Sequence, residues 1–221
     1  SVGRLWSAGG ADPFIARGER PDPALAQALA IAARRGVLVT PPAPLLLGGA
    51  LLTPLWPCAS AACAIAPAAG LRHNDSSLVV RVSFAGRALL FPGDLELPGE
   101  LGLLEVQDAH PELLAADVLK APHHCSRTSS SASFVNAVAP ALVVCSLGFH
   151  NRYRFPNPEV LARYAALGTL ILRTDRDGAV QVRIDAPADD SPGSIRARSE
   201  RSPAPLRPLS PARRAPAPAP R

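Results

Sequence analysis

Two stretches decide how this chain is read: Leu89-Leu-Phe-Pro-Gly-Asp94-Leu-Glu96 and Val118-Leu-Lys120-Ala-Pro-His-His124. Each is a short apolar run of the kind that forms a buried strand, followed at once by polar residues. The first run, preceded by a strand over residues 78–84 and an Ala85-Gly86 turn, delivers the Asp94 carboxylate at a strand tip. The second delivers the imidazoles of His123 and His124 at its own tip. A carboxylate and imidazoles converging at strand ends are borderline-hard ligands, suited to Zn²⁺ or Mn²⁺.

Outward from this centre the chain reads as strand-rich first and alternating afterwards. Residues 2–7, 37–40, 45–47 and 50–55 read as strands. Residues 23–35 read as a helix, with Asp22 as N-cap and Gly36 as its stop. Residues 57–72 form an Ala-rich loop. Downstream, helices over 96–104, 111–115, 132–138 (capped by Ser131) and 158–167 alternate with strands over 142–146 and 170–173. Asp177-Gly178 reads as a hairpin turn into a strand over 180–184. This order predicts an α/β sandwich with ligands at strand ends. Residues 187–221 hold nine prolines among Ser, Ala and Arg, and are expected to be a disordered tail after a domain spanning 1–186.

Composition narrows the function classes. The 221 residues are 48% hydrophobic, enough for a core. The net charge of +5 misleads, because the tail has seven arginines against Asp189, Asp190 and Glu200 and contributes +4 of it. The remainder is close to neutral and does not grip nucleic acid by bulk charge. Residues 36–71 carry no charge, yet six prolines interrupt them. A spanning helix needs roughly 20 continuous apolar residues, so no transmembrane helix is expected. The chain has no methionine, which predicts a fragment or a processed chain. Cys58 and Cys63 read either as a small disulfide or as unpaired small residues, and Cys145 reads as a buried thiol in an apolar strand.

Four segments in this order carry a resemblance: Asn74-Asp-Ser-Ser-Leu-Val-Val-Arg with Leu89–Glu96; Leu119-Lys-Ala-Pro-His-His-Cys-Ser-Arg-Thr-Ser-Ser130; Asn151-Arg-Tyr-Arg-Phe-Pro-Asn-Pro-Glu-Val-Leu161; and Arg173-Thr-Asp-Arg-Asp-Gly178. Together they are similar to the C-terminal metallo-β-lactamase-like domain of the ComEC-type DNA internalization competence proteins. The likeness runs from about residue 72 to 184, with Leu55-Trp-Pro57 as a weaker anchor. It implies a partial metallo-β-lactamase-like αββα sandwich and a soluble, outward-facing domain of an inner-membrane DNA uptake channel. It also implies metal-dependent hydrolysis of the strand that is not imported. The partners implied are DNA and the membrane channel portion of the same polypeptide upstream. That fold carries its main ligands in an early H-x-H-type cluster. The histidines here are 73, 110, 123, 124 and 150, so the cluster is expected upstream and the chain to hold part of the metal site. Two further departures are Asn157, where the family reads Pro-His-Pro, and Cys125, which replaces the usual glycine.

Residue by residue, Asp94 reads as a metal ligand, alone or bridging two ions, or as a cap on the following helix. His124 is the stronger ligand of its pair, and His123 joins the metal, orients its neighbour or contacts phosphate. His73 reads as a loop histidine. Lys120, Ser126, Thr128 and Arg152 are the phosphate or substrate candidates, with the amides at the start of helix 132–138 favouring an anion. A polar turn is the alternative there. Cys125 beside His124 lacks an orienting third group for nucleophilic catalysis. Beside the nuclease reading stand an inactive, structural or DNA-guiding domain of the same channel, and a metallohydrolase acting on a small substrate.

Overall fold

Two-residue alternation in the central strands sorts the apolar side chains into two cores. The structure, a computed structural model, describes residues 4–6, 23–40, 42–57, 73–189, 191–201 and 207–208. Leu90, Leu119, Val143 and Cys145 point to one side of the main sheet; Leu89, Val118, Leu142 and Val144 point to the other. Successive strand residues face opposite ways, so each short apolar run feeds both cores at once.

The main sheet has seven strands in sequential order: β3 (Leu45–Leu47), β4 (Ala50–Trp56), β5 (Val79–Phe84), β6 (Arg87–Phe91), β7 (Val118–Lys120), β8 (Leu142–Cys145) and β9 (Leu170–Arg173). β3 to β6 pair antiparallel. β6 to β9 pair parallel. The parallel half needs crossovers. These contain α2 (Leu97–Val106), α3 (Ala132–Val138) and α4 (Pro158–Ala166). Leu103 of α2, Phe134, Val135 and Val138 of α3, and Val160 and Tyr164 of α4 all enter the first core. Upstream, β1 (Arg4–Trp6) and β2 (Leu38–Thr40) pair in parallel, with α1 (Pro23–Arg34) between them in sequence.

A second, three-stranded sheet covers the other face. It contains β10 (Val180–Asp185), β11 (Ser194–Ser199) and β12 (Arg207–Pro208), all antiparallel. Ile195 and Ala197 of β11 are buried against Val118 and Leu142. The architecture is therefore a helix layer, a seven-stranded mixed sheet and a small sheet: the α/β sandwich that the strand and helix pattern predicts.

Three expectations are corrected. Asp177-Gly178 is not a hairpin turn, because Thr174–Asp177 forms a helical turn, α5, and β10 pairs with β11 instead of β9. The Arg173 guanidinium clamps Asp175 through Nε and Nη2, at 3.1 and 2.6 Å, and Arg173 N–H donates to Asp177 Oδ2. Those bonds wind the chain away from the main sheet. Second, the segment expected to be disordered carries β11. Its Pro- and Arg-rich composition masks the alternation of Ser194, Arg196 and Arg198 with Ile195, Ala197 and Ser199. Asp22, Cys58, Cys63, most of the loop expected at 57–72 and the tail beyond 208 lie outside the described residues. The helix expected over 111–115 is a short 3₁₀ turn, Pro111–Leu113. No described helix is long and apolar enough to cross a membrane.

Ile195→Ala is expected to lower stability by about 2–5 kcal/mol, the cost of emptying a buried aliphatic site. Urea denaturation measures it, and an unchanged midpoint would return residues 194–199 to a disordered tail.

Candidate functional site

Parallel pairing of β6 to β9 brings their carboxyl ends to one edge of the sheet, where open α/β sheets place their ligands. Asp94 follows β6, His123 and His124 follow β7, Ser146 follows β8 and Thr174 follows β9.

The Asp94 loop is braced from a distance. Gly93 has φ 63°, and a Cβ there would lie 2.8 Å from Ser77 Cβ, so only glycine fits. Its carbonyl accepts from Lys120 Nζ at 2.8 Å and from His123 N–H at 3.2 Å. Asp94 N–H donates to Ser77 Oγ. The buried Asp75 carboxylate accepts from the amides of Glu96 and Gly99 at the start of α2, at 3.3 and 3.0 Å. Asp75 carbonyl also takes the Trp56 indole N–H at 2.7 Å. Asp75 is thus the anion that caps α2, and the Asp94 side chain faces the strand-tip edge instead. The role of Asn74-Asp75-Ser76-Ser77 as a brace was not readable from spacing, because its targets lie about twenty residues away.

His124 is held by a left-handed turn. His123, His124 and Cys125 have φ of 42°, 54° and 61°. Each non-glycine residue in that region costs about 1–2 kcal/mol. A disulfide between Cys125 and Cys145 fastens the turn to the end of β8, with Cα atoms 6.0 Å apart. This corrects the reading of Cys145 as a lone buried thiol. The next residue, Ser146, accepts the His124 Nδ1–H at its carbonyl, 2.5 Å away. A backbone carbonyl accepting from Nδ1–H turns Nε2 toward Asp94, the orientation that metal-binding histidines use.

Nε2 of His124 lies 3.5 Å from Asp94 Oδ1. Two donors of one tetrahedral Zn²⁺, each about 2.0–2.1 Å from the ion, are about 3.3 Å apart. The pair therefore fits one edge of a divalent cation's shell, and both side chains are about two-fifths exposed. Lys120 Nζ sits 3.3 Å from the same carboxylate oxygen. Burial draws its ammonium below the ordinary lysine range, and Asp94 opposes that fall. Among the described residues no group of three or more His, Cys, Asp or Glu side chains is placed to hold a metal.

The other sequence candidates are distributed differently. His123 Nδ1 comes within 2.9 Å of Glu96 Oε1 without the alignment of a hydrogen bond, so its nearest carboxylate is Glu96. Ser126 and Thr128 hydroxyls bond each other at 3.0 Å. The amides of Ser130 and Ser131, just before α3, meet a group of the protein itself: the fully buried Glu100 carboxyl accepts from both, at 2.5 and 2.8 Å. Burial raises the Glu100 pKa and these bonds pull against it. Arg163 donates to Ser130 carbonyl, and Tyr164 Oη–H to Ser130 Oγ. Asn157 caps α4 by accepting from Glu159 and Val160 amides. Arg152 lies in an exposed loop with its guanidinium over the Tyr153 ring. His73 opens a 3₁₀ turn, His73–Ser76.

No protein-family model matches the chain. The chain is 44% identical over 108 residues to "Competence protein ComA" of Neisseria gonorrhoeae, covering 49% of this chain and 15% of that protein. It is 37% identical over 110 residues to "ComE operon protein 3" of Bacillus subtilis, covering 50% and 14%. It is 30% identical over 109 residues to "Recombination protein 2" of Haemophilus influenzae, covering 49% and 13%. These relatives point to the ComEC-type competence family over about half of the chain, which spans a small part of their length.

Two outcomes are expected from this geometry. Cys145→Ala removes a bridge closing a loop of 20 residues and is expected to lower stability by about 3 kcal/mol. Adding Cys125→Gly should restore about 1 kcal/mol, because glycine takes φ 61° freely; denaturant midpoints of both variants check this. Glu100→Gln leaves one buried amide facing an NH₂ group and is expected to cost about 1–3 kcal/mol by the same measurement.

Proposed function

We propose that this chain is the metallo-β-lactamase-like domain of a ComEC-type DNA uptake channel and cleaves DNA phosphodiesters with a divalent metal. The observation that carries the reading is the meeting of His124 Nε2 and Asp94 Oδ1 at 3.5 Å, at the carboxyl ends of parallel strands. Zn²⁺ or Mn²⁺ bound there would activate water and stabilise the developing charge on phosphate oxygens. Asp94 contributes the hard, anionic donor. His124 contributes a neutral donor whose direction is set by Ser146 carbonyl. Lys120 balances the carboxylate in the absence of a cation and would turn to a phosphate oxygen in its presence. Completing the coordination shell requires donors beyond this pair, from groups outside the described residues, from water or from substrate. The names of the relatives support competence as the setting. The Cys125–Cys145 disulfide supports an outward-facing position, since disulfides persist in oxidising compartments.

A second reading is a domain that guides DNA without cutting it. Lys120 already occupies Asp94 Oδ1, and Asn157, where the family reads histidine, serves as a helix cap. A metallohydrolase acting on a small substrate has no observation of its own.

Asp94→Ala and His124→Ala in the intact protein are each expected to lower Zn²⁺- or Mn²⁺-supported DNA cleavage by roughly 10- to 100-fold or more. Rates equal to wild type would remove these residues from the chemistry and leave the guiding reading.

A further inference from the structure

The chain has two tryptophans, two tyrosines and six phenylalanines, and three of these fall within residues 149–155. They lie on the loop from β8 to α4, beside the strand-tip site. Phe149 and Tyr153 are 71% and 60% exposed. Exposed rings on a floppy loop would signify little, but this loop is pinned. Asn151 Oδ1 accepts from Phe155 N–H at 2.9 Å, and its Nδ2 donates to the carbonyls of Phe155 and Gly148. His150 and Arg154 hold φ of 52° and 59°. Thr174 Oγ1 bonds both the amide and the carbonyl of Leu147 at the loop's start.

The rings form a continuous ladder back to the site. Tyr153 stacks on Phe155, with centroids 5.5 Å apart and planes 19° apart. Phe155 meets the His123 ring edge-on at 5.8 Å, and His123 meets His124 at 6.3 Å. Arg152 holds its guanidinium 4.9 Å from the Tyr153 ring centroid and donates from Nη2 to the Tyr153 hydroxyl at 2.7 Å, so a cation already sits at this ring. From residue 118 to 158 the chain carries Lys120, Arg127, Arg152 and Arg154 and no acidic residue. Arg152 and Arg154 share the loop with the rings, while Glu96 and Asp94 stand beside the inner rungs His123 and His124. Flat faces with cations on the same loop are what an unstacked nucleic acid strand requires: bases lie on rings, phosphates lie on cations. A duplex keeps its bases stacked on each other and offers the rings nothing.

We infer that the Phe149–Phe155 loop is a stacking platform that binds single-stranded nucleic acid bases and leads the strand to Asp94 and His124. The inference rests on the reading of the chain as a domain that acts on DNA, and deepens it: the substrate at the site is a single strand, held by its bases as well as its phosphates.

The test is binding, measured with EDTA present so that cleavage does not intervene. The probes are fluorescein-labelled dT12 and a 12-mer of the same backbone without bases, followed by fluorescence anisotropy at fixed low salt. Wild type should bind dT12 more tightly than the base-free strand. Tyr153→Ala should weaken dT12 roughly 5- to 100-fold, leave the base-free strand unchanged, and be rescued by Tyr153→Phe. Phe149→Ala should act in the same direction. Both side chains are exposed, and an unchanged circular dichroism spectrum confirms the fold. Equal binding of the two probes, no effect of Tyr153→Ala, or binding to anionic phospholipid vesicles with none to dT12 would each overturn the platform. Asp94→Ala separates the two ideas. It should lower cleavage roughly 10- to 100-fold or more, and failure of the platform leaves that cleavage result untouched.

Discussion

One hydrogen bond organises the site: the His124 Nδ1–H to the Ser146 carbonyl. It joins the turn after β7 to the residue after β8 and decides which ring nitrogen faces Asp94. Everything around it serves to hold that alignment. Three consecutive residues, His123 to Cys125, take the left-handed conformation that non-glycine residues avoid. The Cys125–Cys145 bridge ties the strained end of that turn to the residue before Ser146. Local strain of this kind persists only where surrounding bonds over-determine it.

The surroundings are arranged so that Asp94 is spared structural duty. Helix starts need acceptors for their free amides. Asp75 serves α2 and Glu100 serves the approach to α3. Both side chains are fully buried and accept from backbone amides, Asp75 through Oδ1 and Glu100 through both oxygens. Asp94, about two-fifths exposed, instead faces Lys120 and His124. The division between buried carboxylates that cap and a half-exposed one that faces an imidazole is the strongest physical argument that this edge performs chemistry.

Much of this was legible in the chain, and the limits have physical causes. The apolar runs ending in Asp94 and in His123-His124 announce strand tips, because burial on both faces of a sheet demands such runs. Ser131 was legible as a cap because capping is local. Glu100 was not: its partners are about thirty residues away, and within α2 it reads as an ordinary first-turn acid. The same holds for Asp75. Cys125 and Cys145 show no motif spacing, and only the parallel pairing of β7 with β8 makes them neighbours. β11 was hidden by composition, since an alternation of Ile195 and Ala197 with arginines and serines is weak beside nine prolines. The amides of Ser130 and Ser131, just before α3, are met by the protein's own Glu100.

The central claim is that His124 presents an unprotonated Nε2 to a cation shared with Asp94. Long-range ¹H–¹⁵N NMR of the imidazoles during Zn²⁺ addition tests it most directly. The account predicts a zinc-bound His124 that keeps its proton on Nδ1 and an Nε2 resonance that moves on adding Zn²⁺, with the movement lost in Asp94→Ala. An Nε2–H tautomer, or an Nε2 resonance indifferent to Zn²⁺, would contradict it.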